Sequence, residues 1–191
     1  MNRLLPTALI VLLLIAFRII GSAFPETLPN FQPLAALFFC GALMATGWRG
    51  WAIPLAAWAL TYPAPTILSG NSGYLVPAEI LTTGVAFAAT FFIGKRFSDA
   101  GFTALLGGSL AAAITFHLIT NGAAWIGDPR YAKTAEGLWQ SLWTGPVGSP
   151  IPSWVFLRNM ACANLFFTAV FLSARFALPR LSPQVQPAAA R

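Results

Sequence analysis

Only 8% of the 191 residues are Asp, Glu, Lys or Arg and 57% are hydrophobic, too few charges to clothe a soluble domain of this length. The apolar residues gather in runs of about twenty, the length of a membrane-crossing helix and twice that of a barrel strand. In lipid such runs must satisfy their backbone polar groups internally, which makes them helices. The net charge of +6 is carried by single basic residues between the runs, without the interleaved basic and aromatic stripe of a nucleic-acid binder. Cys40 and Cys162 both lie inside apolar runs, so they form neither a disulfide framework nor a CxxC metal knuckle. No P-loop, no GxGxxG and no HExxH motif is present, which leaves nucleotide and zinc-protease chemistry without a motif.

The first apolar run is Leu4 to Ala23. Gly21-Ser22-Ala23 resembles a signal-peptide cleavage site, but Arg18 interrupts the run and its length exceeds a usual signal core, so it is read as an uncleaved helix. A second span is expected over Pro33–Gly47 and a third over Trp51–Ser69, separated by the turn Trp48-Arg49-Gly50. Pro54, Pro63 and Pro65 each remove a backbone donor from the third span, which predicts a kink or unwinding near Tyr62 to Thr66. Leu75–Gly94, Phe102–Ile126 and Ser153–Leu178 complete six spans in one domain over residues 1–178, and residues 179–191 read as a disordered tail.

Lys and Arg are retained on the cytoplasmic side of a membrane. One alternating set of flanks holds Arg3, Arg49, Lys95, Arg96, Arg175, Arg180 and Arg191, and the other only Arg130 and Lys133. The first set is therefore read as cytoplasmic, and six spans put both termini inside. The longest outer segment, Gly127 to Pro152, contains a short helix over Thr134–Thr144 whose Leu138, Trp139, Leu142 and Trp143 share one face. It reads as an interfacial helix with its tryptophans at headgroup level, as a lid over an outward pocket, or as both.

Ionisable and amide groups inside the spans need a partner or a purpose, since a charge at the bilayer centre costs about 2.5 to 3.5 kcal/mol. Glu79, near the outer start of the fourth span, either pairs with Arg18 or Arg158 or faces an outer cavity with them. The arginines have a third option, snorkelling to the headgroups. His117, Asn121 and Trp125 fall at i, i+4 and i+8 on one face of the fifth span. Nothing nearby completes a metal ligand set around that histidine, which leaves a hydrogen bond to a neighbouring helix or a place in a solute pocket. Arg158 and Cys162 share a face of the sixth span, beside Asn159 and Asn164. Small pairs at Gly41/Ala45, Gly107/Ala111 and Gly108/Ala112 mark close helix contacts, within this chain or with a partner. The candidate solute contacts are Asn30, Glu79, His117, Asn121, Trp125, Trp139, Arg158 and Asn159, with no catalytic residue and no cofactor.

Leu28-Pro29-Asn30-Phe31-Gln32-Pro33, leading into Ala36 and Phe39-Cys40-Gly41-Ala42, resembles a bacterial family of small integral membrane proteins of unknown function. The likeness continues through Leu118-Ile119-Thr120-Asn121, Trp125, Tyr131, Thr134, Gly137 and Leu138, and covers most of residues 28–172. That family is itself similar to the substrate-binding S components of energy-coupling-factor (ECF) vitamin transporters. The resemblance implies an all-α, six-helix S-component-like fold with an outward pocket roofed by the first, third and fifth loops. It also implies uptake of a vitamin or other small micronutrient, powered by a separate coupling subunit and ATPases. Two positions depart from the pattern: Tyr62-Pro63 stands where a Ser-Asp pair is expected, and Ala163-Asn164 where a Gly-Asp pair is expected. The competing expectation, from the small-residue pairs and the missing acidic positions, is an accessory subunit of a larger membrane complex.

Overall fold

A computed structural model describes residues 12–13, 15–17, 19–20, 28–44, 47–63, 67 and 76–177. Among these there is no strand, and six helices follow one another: α1 Leu34–Met44, α2 Arg49–Thr61, α3 Pro77–Arg96, α4 Phe102–Gly127, α5 Ala135–Trp143 and α6 Ser153–Ala177. Residues 12–13, 15–17 and 19–20 are helical as well. Most of the expected first span, with Arg18 and the cleavage-like Gly21-Ser22-Ala23, lies outside the described residues. So do residues 64–66 of the expected kink, Ala45 of one small pair, and the tail.

Three helices, α3, α4 and the Ser153–Ser173 part of α6, are long and apolar enough to cross a membrane, and the protein is an all-helical membrane protein. Their bounds follow from local chemistry. Pro77 opens α3, where its missing N–H would have had no partner, and Lys95 and Arg96 close it beside the negative end of the helix dipole. The other two expected spans are shorter. Where Pro33–Gly47 was expected, α1 has 11 residues; α2 has 13 and stops at Thr61 rather than Ser69. At a rise of about 1.5 Å per residue they measure about 16 and 20 Å, against a hydrocarbon core of about 30 Å. The expected Trp48-Arg49-Gly50 turn falls at Gly47-Trp48 instead, and α2 begins at Arg49.

α1 is the centre of the bundle. Every residue from Leu34 to Cys40 is buried, and α2, α3 and α6 pack around it. Phe38 stacks on Phe87 with ring centroids 4.4 Å apart, Trp51 stacks on Phe91 at 3.9 Å, and Trp58 meets Phe87 edge-on. Glycines set the spacing. A side chain at Gly94 would collide with the Phe39 carbonyl, and one at Gly41 would lie 2.6 Å from the Gly50 oxygen. Pro54 has no N–H to give that oxygen, so the close approach of α1 occurs where the α2 ladder is already broken.

α4 meets α6 through polar groups. Asn164 Nδ2 donates to the Ser109 carbonyl at 3.2 Å, and the Thr168 hydroxyl donates to Ser109 Oγ at 3.0 Å; all three residues are fully buried. Of the small pairs on α4, Gly108 and Ala112 are buried, with Phe97 and Phe39 against Gly108. Gly107 and Ala111 point outward, and nothing lies within 4 Å of a side chain built at Gly107.

Candidate functional site

The sequence-selected polar residues concentrate at the end of the bundle where α4 stops and α6 starts, here called the loop end. His117 is buried on α4, and its Nε2 lies 2.9 Å from the Leu142 carbonyl at the end of α5. A carbonyl can only accept, so Nε2 carries the proton and Nδ1 is the acceptor. Asn121, one turn on, donates Nδ2 both to that Nδ1 at 3.0 Å and to the His117 carbonyl at 3.0 Å. The imidazole is thus neutral with both nitrogens engaged, and it straps α5 to α4.

The third member of that face holds the connection between the two helices. Trp125 Nε1 donates to the Ala132 carbonyl at 2.8 Å, while Lys133 Nζ caps the end of α4 through the carbonyls of Trp125 and Asp128. Asp128 accepts a forked pair of hydrogen bonds from Arg130, at 3.0 and 2.6 Å, and these hold its carboxyl below the usual range. Tyr131 is buried beside Ser153 of α6, and burial pushes its hydroxyl pKa up. Thr134 caps α5 by accepting from the Gly137 N–H at 3.3 Å. Gly137 and Ser141 form the inward side of α5, and a side chain at Gly137 would strike the Ala132 carbonyl. The expected apolar face therefore divides: Leu138 and Leu142 are half-buried, while Trp139 and Trp143 are exposed.

Residues 28–33 form the second feature of this end. They are not helical, yet the Pro29 carbonyl accepts from Asn159 Nδ2 at 3.0 Å, and Asn159 lies six residues, about 9 Å, inside α6. Phe31 reaches further, packing against Phe17 and against Phe167, which lies fourteen residues, about 21 Å, from the start of α6. The segment descends into the bundle before the half-length α1 begins. Asn30 makes this descent with a left-handed backbone, φ 59°, a conformation asparagine tolerates better than most residues. Gln32 Oε1 is buried there with no hydrogen-bond partner among the described residues.

Arg158 and the tryptophans form the third. Arg158 Nε donates to Asn159 Oδ1 at 3.1 Å, and its guanidinium lies over the Trp154 ring at 5.2 Å. Trp154 continues into Trp143 at 6.4 Å and Trp139 at a further 6.0 Å. Glu79 stands exposed on the first turn of α3, and among the described residues Asp128–Arg130 is the ion pair formed, so Glu79 and Arg158 are not paired with each other.

His117 and Asn121 are in direct contact, as are Arg158 and Asn159; Asn159 also joins the segment that carries Asn30. Gln32 and Trp154 are not among the residues the sequence singles out, and Leu142 is singled out for its side chain on the apolar face of α5, whereas its carbonyl makes the contact with His117. Trp154 is detectable, since it stands four residues before Arg158 on one helix.

The chain belongs to a family of unknown function (DUF6580), whose sequence profile matches residues 1–185. No curated protein and no solved structure matches it.

Proposed function

We propose that this member of the family is a membrane-embedded solute-binding protein. Its architecture on this reading is a six-helix bundle like an ECF S component, in a bacterial inner membrane with both termini cytoplasmic. It takes up a vitamin or another small organic micronutrient and relies on a separate coupling subunit with ATPases for energy. The observation that supports this reading is the irregular segment 28–33, which runs at membrane depth into the half-length α1. Non-helical backbone inside a bilayer is tolerated where protein buries it or where it lines a cavity, and broken helices of this sort hold the substrates of many transporters. Asn30 and the Gln32 oxygen, unpartnered among the described residues, are the solute contacts on this reading, with Glu79 on the exposed first turn of α3 and α5 as the lid.

Native mass spectrometry of the chain, gently extracted from its own membranes, tests the proposal. A discrete small-molecule adduct is expected, and it should be lost in Asn30→Ala and Gln32→Ala variants that still insert. Absence of an adduct from the unaltered chain, or its unchanged retention in both variants, would overturn the reading. Gly107 and Ala111 favour a second one, an accessory subunit, because they leave a smooth outward stripe on α4. Gly107→Leu then strips a co-extracted chain from the spectrum while leaving any adduct in place.

A further inference from the structure

The cations of the loop end are not equally engaged. Arg130 is neutralised by Asp128 at 2.6 Å, and Lys133 is spent on the carbonyls of Trp125 and Asp128. Arg158 uses only Nε, on Asn159; its terminal nitrogens have no partner among the described residues, and the residue is exposed. It stands five residues, about 7.5 Å, inside a membrane-spanning helix, where an unneutralised charge is costly. Its side chain leans back over Trp154, one turn nearer the loop end, the direction in which helix side chains point and in which a basic group escapes the hydrocarbon.

Beyond Trp154 the aromatic surface continues outward through Trp143 and Trp139, the last 64% exposed. Indole rings are at home at headgroup depth, with an apolar body and a polar N–H. The nearby carboxylate on α5, Glu136, is turned away toward its own N–H and the Thr134 hydroxyl, which hold its pKa down. An unpaired guanidinium at the foot of an exposed tryptophan ladder matches a phosphate whose acyl chains lie alongside α6. We propose that Arg158, Trp154, Trp143 and Trp139 form a docking site for an anionic phospholipid, with the guanidinium on the headgroup phosphate and the indoles on the glycerol and upper acyl region. A net negative headgroup is preferred because, among the described residues, the site presents one positive charge and no carboxylate bonded to it.

The test uses the full chain in phosphatidylcholine bilayers doped with spin-labelled phosphatidylglycerol or spin-labelled phosphatidylcholine, reading the protein-immobilised fraction of each label. The unaltered protein should prefer phosphatidylglycerol about fivefold, the effect of one basic residue at a membrane surface. Arg158→Gln should bring the ratio to about one, and Arg158→Lys should keep part of it. Since Arg158 also steadies Asn159, a Trp139→Ala/Trp143→Ala double variant provides a second route. Neither tryptophan donates a hydrogen bond to any of the described residues, and the preference should fall there too. An unaltered protein without headgroup preference overturns the proposal, as does a preference unchanged in both Arg158→Gln and the double variant. A co-purifying protein that is lost on the double substitution, with no lipid preference, overturns it in favour of a protein partner.

Discussion

Around Gly94 and Gly41 the backbones of neighbouring helices approach with no side chain between them, whereas α5 is held to α4 by side chains that reach across to carbonyls. Both arrangements answer the same problem. Lipid tails are as apolar as leucine, so helices in a bilayer gain little from burying apolar surface against one another and associate through close packing and hydrogen bonds. The α1–α3 region relies on packing and is intolerant of volume. The loop end relies on directed hydrogen bonds and is intolerant of lost partners.

Four substitutions sharpen this contrast. Gly94→Val drives a side chain into the Phe39 carbonyl, which has no room to move inside the helix, and should lower stability by about 3 kcal/mol in denaturant titration of the detergent-solubilised protein. A value near zero would mean that packing does not hold that region. His117→Ala removes the strap to α5 and strands the Leu142 carbonyl, for about 1 to 2 kcal/mol. Hydrogen exchange should localise that loss to residues 135–143 and leave α1 protected.

The Asp128–Arg130 fork gives a smaller, pH-dependent effect. Because the folded carboxyl is held below its unfolded value, its contribution is present above the unfolded pKa and disappears as pH falls through the folded one. Exchange protection over residues 128–134, corrected for intrinsic rates, should fall on acidification, and Asp128→Asn should remove that pH dependence. Gly107→Val should change the isolated chain by no more than about 0.5 kcal/mol, since nothing stands near the new side chain. Equal damage at Gly94 and Gly107 would erase the distinction between the inner and outer faces of the bundle.

The long helices were legible because their ends carry chemistry. α4 is expected over Phe102–Ile126 and found over Phe102–Gly127; α6 begins at Ser153 as expected; α3 is shifted by two residues because Pro77 starts it and Lys95 and Arg96 still belong to it. The length of α1 was not legible, since an apolar run looks the same whether lipid or protein surrounds it, whereas α2 ends at Thr61, where Pro63 and Pro65 predict a kink or unwinding. The i, i+4, i+8 spacing of His117, Asn121 and Trp125 correctly put them on one face. It could not show that Leu142 and Ala132 would meet them, because those partners offer only backbone carbonyls, and a carbonyl leaves no trace in a sequence. The joining of Asn159 to Pro29 across 130 residues is of the same kind.

Among its 191 residues the chain has a single histidine, and that residue is the strap between α4 and α5. A selectively nitrogen-15-labelled imidazole would therefore give one unambiguous pair of resonances, with the proton on Nε2 while α5 is seated. Whether α5 stays seated in a native bilayer can be read from that pair alone, with no introduced probe and no altered residue.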